Sequence, residues 1–374
     1  MPSVPHALPP SREFQQLWNP FALRKLTAKI KILTSADGRV RNLTPIRLLV
    51  GKSFRRPCYN GPVRLFDYAP RPAHLKWLLD SDPAIRWQVM RDLTDEPPHI
   101  VAAERSRVAT EGWGAALLAR QSPSGHWGDP RKEDRGLLIS LYSLVVLMDL
   151  GLDPASEQAR RMSSRVENRL VFQWLDNRPF FQGETEPCIN GRILALGAYF
   201  KERNEALVHQ LLSEQLEDGG WNCEAPKSRR SSFHTTICVL EGLLAYERAG
   251  RKSAVVTKAR ERAENYLVDR SLFRSFRTGD IIDKRWLRFS YPPVWHYDVL
   301  RGLDYLRDAG VKPDHRVREA IDVLIARQHQ NGRWPLNLLH PERIPLEMET
   351  RVGSASRWNT LRALRVLRWY NTPR

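Results

Sequence analysis

From residue 72 onward the apolar positions fall at helical spacing. In 83–93, Ile85, Val89 and Leu93 share one face, and Pro83 suits a first helical turn. The stretch 101–119 reads as one amphipathic helix. Residues 137–150 are apolar almost all round, as in a helix buried on every side, and end at Gly151 with Pro154 beyond. The same spacing predicts helices over 74–79, 156–175, 188–200, 205–216, 234–249, 252–267, 295–309, 314–327 and 357–370. Before residue 72 no helical period is sustained. There, 29–33 and 47–50 are short strand candidates around the Asp37-Gly38 turn.

Repeats organise this series. Gln121, Gly125 and Trp127 recur as Gln215, Gly219 and Trp221, and again as Gln328, Gly332 and Trp334, always with the same internal spacing. Residues 234–250 also align without gaps onto 294–310. Recurring helical hairpins of about 50 residues stack so that neighbours share a continuous core. No strongly atypical capping repeat closes the C-terminal end. The expectation is an all-α fold in which amphipathic outer and apolar inner helices alternate around a closed ring over 72–374.

The Gln-x3-Gly-x-Trp turn resembles the QW repeat of squalene and oxidosqualene cyclases, and related turns occur in protein prenyltransferase β subunits. The chain resembles bacterial squalene cyclase-like and prenyltransferase-like proteins over residues 72–374. This resemblance implies an α/α toroid, a double ring of helices around a central cavity, with the Gln and Trp of each turn structural. It also implies an isoprenoid or other apolar substrate and transferase or cyclase-like chemistry. The chain has no Asp-x-Asp-Asp, the acid motif of the triterpene cyclases, and no Asp-Asp-x-x-Asp for magnesium-assisted diphosphate ionisation. Neither of those reactions is expected.

Likeness to the prenyltransferases extends to a local pattern. Their zinc is held by an Asp-x-Cys at one helix start and a His at the next inner helix start. Glu186-Pro187-Cys188 and Phe233-His234-Thr235 stand at those places. The resemblance therefore implies zinc on Glu186, Cys188 and His234, with a fourth position open as catalytic zinc requires. Phe180, Gly183 and Ile189 stand where the family has Arg, Lys and Tyr.

Other residues expected at helix entrances facing a cavity are Arg86, Trp87, Arg135, Thr235, Trp295, Trp358 and Asn359 as substrate contacts. His234, His296 and Asp298 are candidates for catalysis. His and carboxylates in such a cavity equally suit a glycoside hydrolase or lyase, and a lipid- or peptide-binding scaffold needs none of them. The polar lining of the cavity separates these readings, since few polar groups favour isoprenoid and many favour saccharide.

Charge adds one feature. Of the net charge of +17, residues 1–71 hold +10, from thirteen Lys/Arg against three Asp/Glu. Residues 1–71 are expected to form a basic, partly disordered extension. A polybasic arm for an anionic membrane or nucleic acid, and a small packed β-element, stay open as alternatives. With the excess mainly there, nucleic acid is not expected as the main partner. Four cysteines without a CxxC pair, and no apolar core in the first residues, lead to the expectation of a reducing, cytoplasmic protein that can lie peripheral to a membrane.

Overall fold

The computed structural model describes residues 70–372 except 130, 132, 201–203, 251–252 and 341–343, without the side chains of 133–135. The strand candidates at 29–33 and 47–50 and the basic extension lie outside the described residues. Contacts divide the chain between Pro62 and Val63, and everything described belongs to the second unit.

That unit is mostly helical. In chain order its helices are α1 (Pro72–Leu79), α2 (Pro83–Asp92), α3 (Pro98–Ser106), α4 (Gly112–Leu118), α5 (Glu133–Leu150), α6 (Glu157–Arg169) and α7 (Pro187–Phe200). There follow α8 (Glu205–Ser213), α9 (Phe233–Arg248), α10 (Ala254–Val268), α11 (Val299–Asp308), α12 (Arg318–Ala326) and α13 (Arg357–Asn371). Short polar residues start several of them. Ser156, Asn204, Asp298 and Ser356 each accept a first-turn amide, at 3.2, 2.8, 2.8 and 2.9 Å. No helix among the described residues is long and apolar enough to cross a membrane.

Three expected helices are broken or shortened, each for a local reason. The stretch 101–119 divides because Gly112 sits at φ +61°, where the Asp82 carboxylate accepts the Trp113 amide at 2.7 Å. A Cβ at Gly112 would lie 2.0 Å from that carboxylate oxygen, so only glycine makes this turn. Helix α6 stops at Arg169, and the rest of 156–175 pairs as β1 (Val171–Phe172) with β2 (Arg178–Pro179), antiparallel, Phe172 opposite Arg178. The helix expected from residue 295 begins only at Val299, because Asp298 adopts extended backbone and caps it.

The three Gln-Gly-Trp turns fold alike. Each Gln donates through Nε2 to the carbonyl of its own Gly, at 3.1, 2.7 and 2.9 Å. Each Trp indole donates to a carbonyl ten residues back, on Leu117, Leu211 and Leu324, at 2.7, 2.7 and 2.8 Å. Each Trp amide donates at 3.0 Å to a hydroxyl near the start of the following helix, from Ser140, Thr236 and Thr360. The turns thus fasten the end of one helix to the mouth of the next.

Six helices are joined in a cycle. Trp87 and Gln88 of α2 donate to the Leu150 and Asp149 carbonyls of α5 at 2.9 and 3.1 Å. Helix α5 packs on α7. Arg192 of α7 pairs with Glu241 of α9, which Arg301 of α11 also holds, at 2.9 and 2.8 Å. Arg362 of α13 reaches Asp304 of α11 at 3.3 Å, and Arg365 of α13 reaches Asp92 of α2 at 2.9 Å. Helices α7 and α9 come closest: a Cβ on Gly191 would lie 2.4 Å from the Cys238 carbonyl oxygen, and one on Gly242 would lie 2.2 Å from that of Gly191. Two missing side chains bring these backbones together, and with them the two helix mouths.

Candidate functional site

The mouth of α7 is built by Glu184. Its carboxylate accepts the amides of Thr185 and Glu186, both at 2.6 Å. Asn190 then closes the turn, accepting from the Glu184 amide at 2.7 Å and donating to its carbonyl at 2.8 Å. This frame turns Glu186 and Cys188 toward the mouth of α9. There the polar loop after Trp221 brings in Cys223, whose Sγ lies 3.3 Å from the Thr235 hydroxyl.

Glu186, Cys188 and Cys223 meet, with their ligand atoms all within 4.8 Å of one another. The Cys188 thiol donates to Glu186 Oε2 across 3.6 Å. Burial, then the neighbouring Glu184, push the Glu186 carboxyl up to about 7. The hydrogen bond with Cys223, then burial, hold the Cys188 thiol well above its ordinary value. Three acidic groups are thus crowded together, and Glu186 and Cys188 retain their protons more strongly than in water. A divalent cation relieves that crowding by displacing the protons. Two thiolates and one carboxylate match zinc's preferred donors, and the atoms of a tetrahedral site stand about 3.5–4 Å apart.

His234 is not in this cluster. Its Nδ1 accepts the Tyr297 amide at 2.8 Å, so the proton of the neutral ring sits on Nε2. Neither nitrogen then offers a lone pair to a metal, and Cys223 stands where the histidine was expected. Burial, then repulsion from His296, bring the imidazole's pKa down to about 3, so the ring is neutral at physiological pH. It meets Trp286 edge-on at 5.6 Å and Trp295 at 5.0 Å, and Trp295 in turn stacks on His296 at 3.9 Å. The Nε2–H stays a hydrogen-bond donor.

The other expected site residues separate into two groups. Thr235, Trp295 and His296 lie around the α9 mouth, and His296 stacks on His340 at 3.6 Å. Asp298 caps α11 and accepts bonds from the Ser290 amide and hydroxyl, both 3.2 Å. Arg86 pairs with Glu104 at 2.6 Å, and Trp87 is packed beneath α5. Asn359 is tied to the Pro335 carbonyl at 3.0 Å. Trp358 lies at the mouth of α13, stacked on Tyr291 at 4.3 Å. The side chain of Arg135 lies outside the described residues.

Two features were not anticipated. One is Cys223, whose distance in sequence from Cys188 hides the contact that the turn creates. The other is the charge carried by the six joined helices, on Asp149, Arg192, Glu241, Arg301, Arg362 and Arg365. Its signal was available for Asp149 and Arg192, which interrupt otherwise apolar helices. The Asp149 carboxyl is pushed by burial up to about 6 and stands in the field of Arg192, Glu241, Arg362 and Arg301 from four other helices.

No protein-family model matches the sequence, and no curated protein matches it. Among solved structures it is similar to the apo form of the type II terpene cyclase MstE from Scytonema, with 16% identity and a TM-score of 0.38. The match covers 75% of this chain and 86% of that one. That likeness is too distant to assign an activity.

Proposed function

We propose that the chain is an α/α toroid of the prenyltransferase/cyclase-like class whose functional centre is a zinc ion held by Glu186, Cys188 and Cys223. The cycle of contacts running from α2 through α5, α7, α9, α11 and α13 back to α2 supports the toroid, as do the three equivalent Gln-Gly-Trp turns, which correspond to QW repeats. The observation that carries the metal is the convergence of two sulfurs and a carboxylate within 4.8 Å at the junction of two helix mouths. Bound there, zinc would supply Lewis acidity and lower the pKa of a thiol or water in its open position. His234 would orient the reacting oxygen through Nε2–H, and Trp295 would wall the site.

The charged side chains of the six helices favour a polar substrate over an isoprenoid one. An isoprenoid chain needs an apolar lining, whereas the enclosed Arg192, Glu241 and Arg301 suit a hydroxyl-rich or charged molecule. That feature favours the second reading, an enzyme acting on saccharides or similar polar compounds within the same fold. For either substrate, purified protein should carry about one zinc per chain by elemental analysis. Cys188→Ala and Cys223→Ala should lose it, and His234→Ala should keep it. Zinc-free wild-type protein, or zinc retained by Cys223→Ala but lost by His234→Ala, would refute this ligand set.

A further inference from the structure

Several carboxylates on the six helices are each shared between two arginines. Arg192 and Arg301 share the single carboxylate of Glu241, and Arg307 and Arg362 share that of Asp304, at 2.9 and 3.3 Å. Arg365 has Asp92, which Arg91 also takes at 2.6 Å. Glu241, Asp304 and Asp92 therefore each answer two guanidiniums. Asp149 is a further interior carboxyl, in the field of Arg192, Arg362 and Arg301.

The hydrogen-bond donors point to the same shortage. Arg192 Nε, the Tyr291 hydroxyl and Trp358 Nε1 are all buried and have no acceptor. Residues Arg192, Tyr291 and Trp358 are 5%, 4% and 2% exposed. They belong to one neighbourhood. Tyr291 stacks on Trp358 and stands in the field of Asp149, Arg362 and Arg365, and Asp149 stands in that of Arg192. Nearby Glu349 does not serve them, since it accepts the first amides of α13, from Arg357 at 2.5 Å and Trp358 at 3.4 Å. Glu241, deep in the protein between two almost buried arginines, still keeps 24% of its side-chain surface accessible. A surface of that kind, so deep, borders an internal space.

We propose that this space binds an oxyanion, the carboxylate or phosphate group of a small molecule, on Arg192, Tyr291 and Arg362. Orphan N–H and O–H groups beside arginines call for an acceptor-rich partner, and guanidinium suits planar carboxylate and phosphate alike.

The test is thermal stability of the full chain, at constant ionic strength, titrated with inorganic phosphate, with succinate, and with chloride as reference. Phosphate or succinate should raise the wild-type melting temperature saturably where chloride does not, and the stronger of the two identifies the head group. Tyr291→Phe removes only the hydroxyl, and Arg192→Met leaves Glu241 paired with Arg301, so both should fold. Each should weaken oxyanion binding about tenfold or more, as loss of a charge-assisted or buried hydrogen bond does, with zinc content unchanged. Indistinguishable responses to the two oxyanions and chloride would overturn the proposal. So would equal oxyanion responses in wild type and both variants, which would locate binding elsewhere.

Discussion

The mouths of α9 and α13 are built on one plan and furnished differently. Ser232 and Ser356 are the N-cap residues of their helices. Four residues later Thr236 and Thr360 each accept a Trp amide at 3.0 Å, and Trp221 and Trp334 are fully buried above them. Between and beyond these positions the side chains diverge. Counting from the serine, His234 corresponds to Trp358, Thr235 to Asn359, Cys238 to Arg362 and Glu241 to Arg365. The shared positions hold helix to turn. Thr235 of α9 borders Cys223, whereas Glu241 of α9 and Arg362 and Arg365 of α13 carry interior charge. A repeat can therefore keep its frame at three or four residues and leave the rest free for chemistry.

The strongest test of that equivalence is truncation of the tryptophans. Trp221→Ala and Trp334→Ala should each lose about 3–5 kcal/mol in denaturant unfolding. A gap between them wider than the roughly 2 kcal/mol spread of comparable core sites would mean the two turns do not carry the same duty.

Asp149 sharpens the contrast between frame and interior, because it should behave in the opposite sense. Its carboxyl is held up to about 6, against 3.8 in the unfolded chain. The folded protein thus retains a proton that the unfolded chain releases, and stability falls as pH rises from about 4 to about 6. Asp149→Asn should be more stable than wild type by on the order of 3 kcal/mol above that window, with little difference below it. Unfolding curves at acid and neutral pH measure this, and a destabilised variant at neutral pH would assign Asp149 to the frame.

The smallest effect concerns the hydroxyls. Thr236→Val and Thr360→Val each strand one buried Trp amide and should cost about 1–3 kcal/mol. Near-equal values, again by denaturant, are the expected outcome. A loss confined to one mouth would break the parallel.

Much of the frame was legible because it is written in local patterns. The Gln, Gly and Trp of each turn lie within seven residues, and the buried helix ending at Leu150 declares itself by composition. What escaped depends on contacts distant in sequence. Cys223 joins Cys188 only because Gly191 and Gly242 let two helices approach, and nothing in the spacing of 188 and 223 records that. His234 stands at the expected helix mouth, but its ligand role fails on a single backbone amide from Tyr297, visible only in three dimensions. Asp298 reads as a catalytic acid in sequence and is a helix cap in space. The break at Gly112 was similarly hidden, since its cause is a carboxylate thirty residues earlier.

The bond between Arg365 of α13 and Asp92 of α2 bears on how this protein comes apart. An open stack of hairpins frays from its ends, losing one unit at a time. Here the last helix is fastened to one of the first, so peeling α13 away uncovers α11 and α2 together and strands Arg362 and Arg365 from their carboxylates. The penalty for the first step of unfolding is then close to that for the whole. Such a chain should melt in one sharp transition, and a nick near either end should be felt on the opposite side of the sequence.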